Sequence, residues 1–125
     1  MGFLANLQPQ LLSILRIMSG LLFLEHGSAK LLHFPHIAMF DGKPSTMILV
    51  AGTIELVGGA LVTVGLFTRW AAFIMSGEMA VAYFMAHAPR GFYPVINMGE
   101  AAILYCFVFL YIAAAGPGPW AISRK

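Results

Sequence analysis

Residues 49–70 run "LVAGTIELVGGALVTVGLFTRW". This stretch is almost wholly apolar, yet it carries a carboxylate, Glu55, near its middle and a guanidinium, Arg69, at its end. An ionisable group at mid-bilayer costs at least ~2.5–3.5 kcal/mol on insertion scales, and such groups face protein or a water-filled cavity. The stretch therefore reads as a helix in lipid with one side turned toward other helices. The whole chain agrees. Its 125 residues are 60% hydrophobic and 10% charged, against about 25% charged in a soluble domain, and its mean hydropathy is +0.85. A soluble sphere of this size cannot hide so much apolar surface. The net charge of +2 includes no basic block, which argues against nucleic acid as a partner. The lone cysteine, Cys106, cannot close an internal disulfide. The N-terminus has no basic region ahead of the first apolar run, so that run reads as a retained span.

A spanning helix needs ~20 mostly apolar residues. Four segments qualify: residues 10–32, 46–66, 69–88 and 97–115. Between them stand "HFPHIAMFDGKP", the short turn "FTRW" and "APRGFYP", and "GPGPW" follows the last. Short connections make sequential helices antiparallel. The expectation is an all-α integral membrane four-helix bundle of up-down helices, one transmembrane domain over residues 1–125. Arg69, Arg124 and Lys125 fall on the side of the termini, and Lys30, Lys43 and Arg90 on the other. Arg16 snorkels toward the terminal side and tips the balance, so both termini are expected in the cytoplasm.

Helical phase sorts the polar groups into stripes. Arg16, Gly20, Phe23, Gly27 and Lys30 share one face of the first span, with His26 beside it. Glu55 shares a face with Gly52 and Gly59, small residues that let helices approach closely. Arg69, Ser76, Tyr83 and His87 align on the third span, and Asn97, Glu100 and Tyr111 on the fourth. Judged by depth from the span ends, Glu55 should pair with Arg16, or with Arg69 if the helices tilt. These three are the expected structural ion partners. Glu25 and Glu78 point away from the polar stripes of their own helices, which suggests an interface with a second copy or a partner subunit.

The chemistry is expected near the end away from the termini. A histidine beside a carboxylate can relay a proton to a bound carbonyl. This singles out His87 and Glu100 as candidate catalytic groups, with Lys30, Asn97, His26 and Tyr83 as candidate substrate or cofactor contacts. The plainer reading makes Asn97 and Glu100 a capping box at the start of the last helix. The residues three past Glu25, Glu55, Glu78 and Glu100 are Ser28, Gly58, Val81 and Ile103, so the Glu-x-x-His pattern of di-iron bundles is missing. No metal site or haem motif is assigned. Ten Phe, four Tyr, two Trp and eight Met suit a pocket for a quinone or a lipid, though any membrane bundle uses such residues.

"RIMSGLLFLEHGSAKLL", "IELVGGALVTVGLFTRWAAF", "EMAVAYFMAH" and "NMGEAAILYCFVFLYIAAAGPGPWAIS" together resemble the DoxX family of small bacterial membrane proteins. The resemblance implies a four-helix bundle in the cytoplasmic membrane and an oxidoreductase label, since relatives include a subunit of a thiosulfate:quinone oxidoreductase. Arg16, Gly27, Lys30, Glu55, Arg69, His87, Asn97 and Glu100 match positions typical of the family, whose pattern carries no agreed catalytic residues. The leading expectation is a quinone-linked redox component. The alternatives are a non-enzymatic subunit that docks another oxidoreductase, or a bundle that binds a small molecule or lipid.

Overall fold

The computed structural model describes residues 1–123, and among these the chain is all-helical. A short α1 (Gly2–Asn6) precedes α2 (Gln8–Leu31), α3 (Thr46–Val64), α4 (Thr68–Ala82), α5 (Pro94–Asn97) and α6 (Glu100–Ala115). α4 continues through a π-helical turn, Tyr83–His87, and a 3₁₀ turn, Ala88–Arg90. Three helical runs are long and apolar enough to cross a membrane: Gln8–Leu31, Thr46–Val64 and Thr68–Arg90. The fold is a helical membrane bundle.

α6 is shorter than the sequence suggests. Its 16 residues rise about 24 Å, against a hydrocarbon thickness of about 30 Å. The segment expected to start at Asn97 is broken at Met98, whose φ of 65° is left-handed. Asn97 therefore does not cap α6. It ends α5, and its Oδ1 accepts from the Gly99 amide at 2.8 Å.

The helices form two tight pairs. α2 and α3 are antiparallel and nearly touch backbone to backbone. A Cβ on Gly27 would lie 2.7 Å from Leu56 Cα, and one on Gly59 would lie 2.6 Å from the Leu24 amide nitrogen. Gly52 faces the end of α2, where a Cβ would meet Leu31 Cγ at 2.8 Å. α4 and α6 are antiparallel as well, with the Ser76 hydroxyl donating to the Cys106 carbonyl at 2.7 Å. The pairs join through a tight turn after α3. Gly65, at φ 77°, takes the left-handed position, and the amides of Gly65 and Leu66 both return to the Leu61 carbonyl at 2.9 Å. Phe23, Val62, Ala72, Met75, Phe109 and Ile112 form the buried core. The Phe23 ring meets Phe109 edge-on at 4.6 Å between centroids.

The expected pairing of Glu55 with Arg16 or Arg69 is corrected. Gly27 abuts Glu55 and Leu56, and Arg16 lies eleven residues away along α2, about 16 Å at 1.5 Å per residue. Depth counted from the span ends had placed the two close together, because it took helices of unequal length as flush. Arg16 is fully buried at the opposite end, where it donates to the carbonyls of Pro117 and Trp120. Ser13 Oγ accepts there from the Trp120 amide at 3.1 Å. The segment after α6 is thereby folded under the bundle, and its Ile122 amide reaches the Val64 carbonyl at 3.1 Å. Arg69 is exposed and donates to the Ala114 carbonyl at 2.7 Å and to Ala113 at 3.3 Å. A cation there complements the negative end of α6. Arg124 and Lys125, which enter the charge reading of topology, lie outside the described residues.

Candidate functional site

At the end of the bundle away from the termini, the two helix pairs part. A cleft of about 840 Å³ opens between them. Small side chains leave the space: Ala51 on α3, Ala82 and Ala86 along the third run, and Ala101 and Ala102 on α6 line it. Most of the remaining wall is apolar, with Phe23, Ile54, Ile74 and Met79 among the lining residues.

The charged groups of the cleft come from three helices. Lys30 Nζ on α2 donates to Glu55 Oε1 on α3 at 2.6 Å. The Glu55 side chain is 2% exposed and that of Lys30 15%, so the pair is largely withdrawn from solvent. The ammonium also sits 5.7 Å from the centre of the Phe40 ring, a cation–π distance. Glu78, from α4, lines the cleft as well, and its carboxyl lies within hydrogen-bonding reach of the Glu55 carboxyl. Its Oε1 is buried.

Glu78 was expected to face outward, and this is corrected. A single polar stripe presumes one buried face. α4 has two, because it packs against α3 on one side and α6 on the other. Ser76 turns to α6, while Met75 meets Gly58 of α3 and Glu78 follows it on that side. A signal for this was present in the sequence. Glu55 stands eleven residues before Leu66, and Glu78 eleven after Phe67. In an antiparallel hairpin with its turn there, the two carboxyls stand at equal depth. Glu25, by contrast, is exposed on α2.

Of the other expected site residues, Lys30, His26 and His87 line the cleft, whereas Tyr83, Asn97 and Glu100 do not. Asn97 is fully buried behind it. Its Nδ2 donates to Gly91 O at 2.9 Å and to Tyr83 Oη at 3.1 Å. These bonds tie the connection between the third run and α6. The Tyr83 ring stacks near that of His87, with centroids 6.3 Å apart. His87 Nδ1 lies 3.1 Å from the Asn97 carbonyl. A carbonyl only accepts, so Nδ1 carries the proton and a neutral His87 presents Nε2 as an acceptor. Glu100 is exposed in the first turn of α6, where a carboxylate suits the positive end of the helix. No hydrogen bond joins it to His87 among the described residues.

A helical membrane bundle with an ion-paired, apolar-walled cleft at one end is thus the class of protein that these residues build. The chain belongs to the DoxX family, whose model matches residues 11–88. That stretch contains Lys30, Glu55, Glu78 and His87. The chain is 47% identical to an uncharacterized protein of Haemophilus influenzae, over 100% of this chain and 97% of that one. It is 41% identical to "Putative oxidoreductase CatD" of Bacillus subtilis, over 45% of this chain and 44% of that protein. It is 29% identical to the uncharacterized membrane protein Rv3486 of Mycobacterium tuberculosis, over 94% of this chain and 82% of that one. No solved structure matches.

Proposed function

We propose that the chain is a membrane-embedded component of a redox system that holds a quinone in the cleft. The observation that carries this reading is an apolar cleft of about 840 Å³ with a Lys30–Glu55 pair and Glu78 in its wall. Ligand pockets commonly measure about 300–1,000 Å³ and pair apolar walls with a few placed polar groups. A quinone ring with a prenyl tail fits that description, the tail running out between helices into lipid. The name of the Bacillus subtilis relative, an oxidoreductase, lends support from outside this chain. In this reading the bundle lies in the cytoplasmic membrane with both termini inside, and α6 completes it as a fourth, shorter crossing.

A bound quinone supplies a two-electron, two-proton couple, with electrons delivered by a partner reductase. The chain's own groups bind and place it. Lys30 has N–H donors left beyond its bond to Glu55 and can hold a ring carbonyl. His87, fixed through Nδ1, offers Nε2 to a ring hydroxyl. The expected proton role of Glu100 passes to Glu78, because Glu100 lies outside the cleft.

The test is direct. Native extraction into nanodiscs followed by mass spectrometry should recover a prenylquinone. A short-chain ubiquinone should bind saturably, about tenfold more weakly to Lys30→Met, the loss expected for one hydrogen bond to a charged group. Absence of both co-purified quinone and saturable binding overturns the reading. A second reading, a docking subunit for another oxidoreductase, draws on the exposed Glu25 inside an apolar helix. It predicts a stoichiometric membrane partner that is lost on Glu25→Ala.

A further inference from the structure

Glu78 lines the cleft, and the protein leaves the hydrogen bonding of its carboxyl half complete. Its carboxyl meets the Glu55 carboxyl. Glu55 already accepts from the Lys30 ammonium at 2.6 Å, so Glu55 is the charged member. Two carboxylates offer only acceptors to each other, and a bond between them needs one proton. That proton resides on Glu78 and points at Glu55. The second oxygen of Glu78 is then a carbonyl-type acceptor. Among the described residues no other group is bonded to Glu78. Its Oε1 is buried, so the oxygen left to the cleft is Oε2. In the wall of a cleft, an acceptor without a donor marks the place where a ligand's donor belongs.

None of the remaining polar groups of the wall is bonded to Glu78 among the described residues, and His26, Thr46 and Tyr105 can each donate to or accept from an oxygen of either form of the ring, so they favour neither. Lys30 gives one N–H to Glu55, and its others can meet an oxygen of either form of the ring, so they do not discriminate. His87 commits its N–H to the Asn97 carbonyl. Glu78 is thus the wall group whose free oxygen only accepts. We infer that the cleft recognises an apolar ring by its hydroxyl donors, with Glu78 as the ligand-facing acceptor, so that the site prefers the reduced, hydroxyl-bearing form of its ligand to the carbonyl form. This rests on the quinone reading above and deepens it. Glu55 is a positioning residue here: it orients the Glu78 carboxyl.

Three probes of one ring separate the possibilities: a short-chain ubiquinone, its quinol, and the dimethyl ether of that quinol, which keeps the shape and lacks the donors. Binding is measured anaerobically on the full chain in nanodiscs. Wild type should bind the quinol about tenfold more tightly than the ether, the worth of one such hydrogen bond. Glu78→Gln should keep that preference, because an amide donates to Glu55 through its NH₂ and still offers a carbonyl oxygen. Glu78→Leu should lose it, binding quinol and ether equally. Equal binding of all three probes by wild type overturns the inference and leaves quinone binding intact. Failure of every probe to bind overturns both. A Glu78→Leu variant that retains the quinol preference overturns the role of Glu78 alone.

Discussion

At the residue scale, the chain solves one electrostatic problem in two ways. Glu55 is compensated by a cation on the facing helix, and Arg16 by backbone carbonyls. Both spare a charge from facing lipid. The two predict different mutant behaviour. Lys30→Met strands the Glu55 carboxylate and should cost about 3 kcal/mol, the low end for breaking a buried pair. The double variant Lys30→Met, Glu55→Met should recover most of that loss, because well-packed apolar groups replace the pair. Thermal unfolding of both in the same detergent decides it. Arg16→Met removes two hydrogen bonds to a charged group and should cost about 2–3 kcal/mol. It should also expose the segment around Pro117 and Trp120 to protease, read by mass of the first fragment released. The presence of compensated charge was legible in the sequence. Which cation serves Glu55 was not, since Lys30 and Arg16 share one stripe of α2 and differ only in height.

At the element scale, close approach of α2 and α3 sets that height. Glycines at positions 20, 27 and 59 let the two backbones meet, and the register follows from where they sit. A side chain at such a contact must force the helices apart. Gly59→Val should destabilise by about 2–3 kcal/mol through overpacking. Gly77 is the control: it lies in mid α4, and a Cβ there meets nothing within 4 Å. Gly77→Ala should stabilise by about 0.5–1 kcal/mol, since alanine removes the entropic handicap of glycine in a helix. The pair of measurements fails if the two variants shift unfolding in the same direction. The break before α6 was not legible. The apolar run continues through it, and only the local turn at Met98 and Gly99, held by the Asn97 side chain, ends one helix and begins the next.

At the scale of the whole molecule, the two helix pairs are held firmly at the end near the termini and parted at the other. Arg16, Ser13 and Arg69 fasten the closed end. Alanines keep the open end wide. The cleft therefore opens toward the side of the 32–45 connection. On the proposed orientation, with both termini inside, a cysteine introduced at Lys43, in a background where Cys106 is replaced by alanine, should react with an impermeant maleimide added to intact cells. One introduced at the N-terminus should react only after permeabilisation. The opposite labelling would reverse the orientation.

The order of apolar runs and breakers is enough, with no tertiary information, to establish a helical membrane protein that turns Arg16 and Glu55 inward. Lipid leaves backbone amides no partner outside the helix, and length and composition carry that constraint directly. Depth along the spans also puts Lys30, His26 and His87 at the end where the cleft lies. The hairpin spacing set Glu55 and Glu78 at equal depth, and the tertiary structure alone decided that Glu55 belongs to Lys30, that Glu78 turns its face to them, and that Asn97 supports the wall from behind. Those outcomes depend on the axial offset between helices and on α4 having two packed faces. Both are set by contacts between residues far apart in the chain, and helical phase within a single span contains neither.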